Sequence, residues 1–229
     1  MTSQDSPFDA SRGVVDVRRM TSIGVIAMLA ASAICVAIAP TLMPDSYSVI
    51  EHSISESAAQ GVEGAWLARL GFLLLGFAVL TLAAIAGRRW GTWGRLVHRF
   101  YGISMIGAAA FAHMPWEDVP YDQFEDFLHT VAAYGVGFAF TGGVLIVALR
   151  RGSGPVRIFD LFSIVAAFVI PMVMFNVTGV AGIVQRALFL IGYLWYRMEA
   201  VQLSISDLPV GSRHALPETA EATAHGGGV

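Results

Sequence analysis

An all-α fold, a six-helix transmembrane bundle, is what this sequence predicts, and three observations carry the prediction. Six long apolar runs succeed one another along the chain. Only 14% of its 229 residues are charged, against about a quarter in soluble domains. Its 14 basic residues, all arginine, gather mainly in alternate loops. In lipid only helices and closed barrels satisfy their own backbone groups, and runs this continuous lack the alternation of a barrel.

The runs cover residues 21–42, 66–86, 100–114, 127–149, 158–177 and 182–204. Most reach the roughly 20 residues that cross ~30 Å of hydrocarbon. The third is short, and Gly102, Gly107, Ala108 and Ala112 suit it to close helix packing. Gly135, Gly137, Gly142 and Gly143 give the fourth a similar surface. Pro171 and Asn176 mark a kink and an end of the fifth.

Arginine placement predicts orientation. Arg12, Arg18 and Arg19 precede the first run, Arg88, Arg89, Arg95 and Arg99 lie before the third, and Arg150, Arg151 and Arg157 separate the fourth from the fifth. Arg213 follows the last run, and the other loops hold no arginine. By the positive-inside rule both termini are cytoplasmic. The expected division is a polar cytoplasmic tail over 1–19, a transmembrane domain over 20–206, and a disordered cytoplasmic tail over 207–229. An arginine-only composition points to a GC-rich bacterium, hence to a multi-pass protein of the bacterial cytoplasmic membrane. Arg18-Arg19, an apolar run and "AIA" at 37–39 also read as an export signal, but Pro40 and the length of the run argue against cleavage. A net charge of −3 offers nothing to nucleic acid. The lone Cys35 excludes an internal disulfide.

The two long outward loops concentrate the candidate chemistry. Nine of 17 carboxylates fall there, Asp45, Glu51, Glu56 and Glu63 in the first loop and Glu117, Asp118, Asp122, Glu125 and Asp126 in the second. His52, His113 and His129 lie at the same boundary. In "EHSISES", residues 51–57, Ser48/Glu51 and Ser53/Glu56 both match the S-x-x-E capping box, so a short interfacial or re-entrant helix is expected. Its structural reading is caps and solvated charge. Its functional reading gives His52 and Ser55 a ligand-binding or catalytic role. If the fourth helix starts near Tyr121, Asp126 and His129 share a helical face. A neutral imidazole beside carboxylates can act as a base or ligate a metal, though acidic residues suit a helix start in any case. We therefore expect the first loop to fold over the bundle and bring His52 and Ser55 toward Asp126 and His129, over a pocket left by the short third helix.

Arg69 and Arg186 stand near the outward ends of their helices, where they either snorkel or pair with outer carboxylates or an anionic headgroup. Arg197 and Glu199 read as an anchor or an interhelical contact, and His98 as part of the basic inner loop. No G-x-S-x-G elbow, P-loop or H-E-x-x-H pattern occurs, and the cofactor and metal remain unassigned.

"YSVIEHSISE", "GAWLARLGFLLLGF", "DFLHTVAAYGVGFAF" and "VQRALFLIGYLW" together carry a resemblance over about residues 20–206. The chain resembles the bacterial six-helix membrane family catalogued as domain of unknown function 998. That family is similar in layout to eukaryotic six-helix proteins linked to lipid remodelling and autophagy. The resemblance singles out Ser53, Ser55, His129 and Arg186. Where members carry Phe-Pro-x-Asp after the third helix, this chain has "HMPWED".

These readings leave three functions in competition. The first is binding or modifying a lipid or amphiphile at an outward His/carboxylate pocket. The second is a non-catalytic membrane subunit or sensor, and the third a small-solute or proton-linked transporter. A roofed pocket favours the first, a flat exposed apolar face the second, and a polar path through the bundle the third.

Overall fold

The computed structural model describes residues 7–206, with side chains from 17 to 205. Six helices account for it: α1 (Pro7–Ile38), α2 (Ala65–Ile85), α3 (Gly87–Ala110), α4 (Gln123–Arg150), α5 (Pro155–Asn176) and α6 (Ala181–Ser206). Among the described residues there is no strand. Residues 7–19, expected as tail, are helical, while the tail expected over 207–229 lies outside the described residues. Four helices, α1, α2, α4 and α5, are long and apolar enough to cross a membrane. Arginines along α3, and Arg186, Arg197 and Glu199 along α6, keep those two below that measure.

The third helix is not short. It starts at Gly87 and is broken at Gly91 (φ 65°, ψ −179°), so Arg88 and Arg89 lie in a first turn before the break and Arg95 and Arg99 in the helix beyond it. The chain reverses between α2 and α3 almost without a connection, because Gly87 (φ +52°) and Gly91 (φ +65°) adopt the left-handed backbone that glycine tolerates. At Gly91 a Cβ would also meet the Arg150 guanidinium at 2.8 Å.

Each helix packs on the next, and α6 returns to α1, so the bundle is a closed ring in chain order. Small residues set the closest approach: a Cβ on Gly76 would lie 2.9 Å from the Gly102 carbonyl, and one on Gly102 2.9 Å from the Gly76 carbonyl. Ser32 ties three helices, donating to the Gly71 carbonyl at 2.6 Å and sharing a hydrogen bond with the Tyr193 hydroxyl at 2.7 Å.

At the arginine-rich end the interior of the ring is filled. Trp90, Trp195 and Tyr196 are fully buried there. His98, expected in the basic loop, belongs to this core: its ring stacks on Trp195 at 5.0 Å, bonds the Tyr196 hydroxyl at 3.0 Å, and lies over Gly143. The early start of α3 explains the difference, since it carries residue 98 inward as part of a span.

An ion cluster closes this end. The Arg151 guanidinium grips both Asp160 oxygens at 2.8 Å and donates to Glu199. Glu199 also accepts from Arg89 at 3.0 Å and from the Trp90 indole at 2.7 Å, while Asp160 accepts from the Trp195 indole at 2.8 Å. Both carboxylates are fully buried. Two cations against two anions leave no net charge, which is how such groups are tolerated away from water. Glu199 is thus the interhelical contact expected of it, whereas Arg197 is exposed.

Candidate functional site

At the acidic end, residues 43–64 fold back across the ring. The segment is turns and coil, with a short 3-10 turn at Glu56–Ala58. Ser53 and Glu56 form the expected capping box: Glu56 N–H donates to Ser53 Oγ at 3.1 Å and Ser53 N–H to the Glu56 carboxylate. In the preceding turn Glu51 N–H donates to Ser48 Oγ at 3.3 Å, but His52 takes the place of the acid: its Nδ1 accepts from Ser48 N–H at 2.8 Å.

The segment is docked on α6. Gly182 and Ile183, in the first turn of α6, have N–H groups free of helical partners, and they donate to the Glu51 and Ile50 carbonyls at 3.2 and 3.1 Å. Arg186 donates to the Val49 and His52 carbonyls at 2.8 and 3.0 Å and to the Tyr47 hydroxyl at 2.7 Å. Gln185 Oε1 accepts from Ile54 N–H at 2.5 Å. On the other side Arg69 donates to the Ala58 and Ala59 carbonyls at 3.0 and 3.3 Å. The partners of both arginines are therefore backbone carbonyls and a phenol, and no carboxylate is among them. They hold the segment down.

Gln60 joins this segment to the second loop. Its carboxamide donates to the Asp122 and Ala112 carbonyls and accepts from Asp122 N–H at 2.7 Å. Asp122 caps α4, its carboxylate accepting from Phe124 and Glu125 N–H at 2.8 and 3.1 Å.

The sequence-predicted site residues fall into three places. His52 joins Tyr47 and Trp116 in a group of rings 5.1–5.3 Å apart. Asp126 bonds His113 Nδ1 at 2.7 Å, and His113 in turn stacks on His129 at 5.1 Å. His129 is buried, with Nδ1 within 3.1 Å of the Ala108 carbonyl and 2.9 Å of the Phe111 carbonyl, so Nδ1 carries the proton. Its Nε2 is buried with no partner among the described residues. Among the described residues no hydrogen bond or ring contact joins His52 to Asp126 or His129, and none joins Ser55 Oγ to any side chain. Nor do any three of His, Cys, Asp and Glu converge as a metal site would require.

Ser55 instead faces a cavity of about 380 Å³ within the acidic half of the ring. Its walls come from α3 (Met105, Ala108), α4 (Ala133 to Thr141), α5 (Ala167 to Phe175) and α6 (Gln185 to Phe189). Several wall residues, Tyr134, Phe138, Phe168 and Phe175, are also exposed on the outer surface of α4 and α5. The cavity therefore opens sideways between those two helices. No charged residue lines it. Sequence reasoning passed over Gln185 and Asp160, and it expected a pocket from a short third helix, whereas the cavity lies among α3, α4, α5 and α6. An acid inside the run 158–177 was a readable signal, whereas a void made by small residues on separate helices leaves no local mark.

No curated protein and no solved structure matches the chain. A family model described as "Protein of unknown function (DUF998)" does, over residues 25–202, which takes in four whole helices, α2 to α5, most of α6 and the later part of α1. The chain belongs to that family.

Proposed function

We propose that this multi-pass membrane protein binds a lipid or other amphiphile drawn from the outer leaflet. The observation that carries the proposal is the roofed cavity of about 380 Å³ with apolar walls and a side opening at lipid-facing residues. Its volume lies near the small end of the ~300–1,000 Å³ usual for small-molecule sites, which suits one chain rather than two. Arginine asymmetry supports the outward orientation of the acidic end.

Binding fits the site better than catalysis. A serine nucleophile needs a base within hydrogen-bond reach, and among the described residues no side chain bonds Ser55 Oγ, while the His52 ring packs on Tyr47 and Trp116. His129, held by His113 and the Ala108 and Phe111 carbonyls, does not line the cavity and so supplies Ser55 with no base. Transport fits poorly, since Trp90, His98, Trp195 and Tyr196 fill the ring beyond the cavity.

Gly137 provides the test. It lines the cavity, and a Cβ there would meet nothing within 4 Å. Gly137→Leu is expected to fill the void and to abolish co-purification of a bound amphiphile in mild detergent, read by native mass spectrometry. Thermal stability should hold or rise, since leaving glycine in a helix gains up to about 1 kcal/mol. If wild type and variant carry the same bound mass, the cavity is not the binding site.

A further inference from the structure

Two polar groups beneath the roof segment have no protein partner among the described residues, and they define what kind of head the ligand carries. Ser55 Oγ makes no hydrogen bond, not even the cap bond its position before the 3-10 turn would allow. The Gln185 carboxamide uses only its oxygen, which accepts from Ile54 N–H. Its NH₂ group has no partner among the described residues. That bond holds Gln185, on α6, to the residue before Ser55, and both side chains line the same cavity. The roof thus offers one hydroxyl and one amide NH₂ above walls mainly of Ala, Met, Phe and Leu; of the polar wall residues, Thr141 donates to the Gly137 carbonyl and Tyr134 stands at the exposed opening. The nearby cations, Arg69 and Arg186, are engaged with carbonyls of the roof segment and do not line the cavity.

Resting on the amphiphile reading above, we infer that the ligand's head is uncharged and accepts hydrogen bonds, an ester or alcohol on a single chain. An anionic phosphate or carboxylate would lose its hydration in an apolar chamber with no cation to replace it. A bare hydrocarbon would leave both donors without acceptors. An ester carbonyl or alcohol oxygen satisfies Ser55 and Gln185 at once, and the chain takes the space along Gly137 and Phe189. The opening between α4 and α5 lets the chain move in from the bilayer without crossing water.

Probes of one chain length separate these cases: monodecanoylglycerol, which is neutral, and decyl phosphate, which is anionic. Each is titrated against full-length protein in detergent by native mass spectrometry. We expect the neutral probe to bind more tightly. Ser55→Ala, which removes a hydroxyl that bonds nothing in the fold, should weaken it about 3–10-fold with little effect on decyl phosphate. Gln185→Glu keeps an acceptor for Ile54 N–H but replaces the donor with a carboxylate, and should weaken the neutral probe further. Preference for decyl phosphate, or neutral binding unchanged in both variants, would overturn the assignment of the head while leaving the cavity reading intact. If neither probe binds wild type, or if Gly137→Leu reduces neither, the cavity reading itself fails.

Discussion

Arg151→Leu is expected to lower stability by about 3–5 kcal/mol, the cost of breaking a buried ion pair from one side. The variant strips Asp160 of its bidentate partner and Glu199 of one of two guanidinium contacts, and both carboxylates are fully buried. The indoles of Trp90 and Trp195 would then be their main remaining donors, alongside Arg89. Thermal unfolding in detergent checks it, with Arg197→Leu, at an exposed arginine of α6, as the control. Equal midpoints for the two variants would mean that the cluster is solvated and contributes little. Asp160→Asn should fall between them, because it keeps an oxygen for the Trp195 indole while losing the charge on Arg151.

Gly182→Ala is the second large effect. A Cβ there would sit 2.3 Å from the His52 carbonyl oxygen and 2.4 Å from that of Val49, both backbone atoms that no rotamer change can move. The roof segment must lift, which costs the bonds from Gly182, Ile183 and Arg186 together. Overpacking of this kind costs about 1–3 kcal/mol or more. Limited proteolysis within residues 43–64 should accelerate, and any co-purified amphiphile should be lost as the cavity opens. Gly192→Ala makes the same chemical change where nothing lies within 4 Å of the added carbon, so it should leave both readouts unchanged. Equal protease resistance in the two variants would show that α6 does not hold the roof.

The sequence made some of this legible and hid the rest for physical reasons. Helices were readable because twenty-residue apolar runs have few other uses. The Ser53–Glu56 box was readable because a capping box is local, closed within four residues. The start of α3 was missed because arginines were read as loop, although an amphipathic helix can carry them on one side. The roles of Arg69 and Arg186 were missed for a different reason: their partners are carbonyls, which every residue has, so no residue type announces them. His113 was noted only for its place at the boundary, yet it is the group that Asp126 holds and that His129 stacks upon. Helical spacing put residues 126 and 129 on one face correctly but could not show that a third side chain from the α3–α4 connection would come between them.

The neutral ion cluster also bears on how the chain is built into its membrane. Its members emerge in order: Arg89 in α3, Arg151 at the end of α4, Asp160 in α5, and Glu199 near the end of α6. Until the last of these arrives, the cluster itself carries one surplus positive charge. α6 is also among the helices too polar to cross lipid by composition alone. Glu199 is the group that brings the cluster to neutrality, so α6 is expected to dock last and to depend on it. A chain truncated after residue 178 should remain loosely assembled and sensitive to protease, and α6 supplied as a separate segment should restore resistance only while Glu199 is intact. On this view the ring has a closing element chosen by electrostatics, a helix whose place is set by the charges already waiting for it.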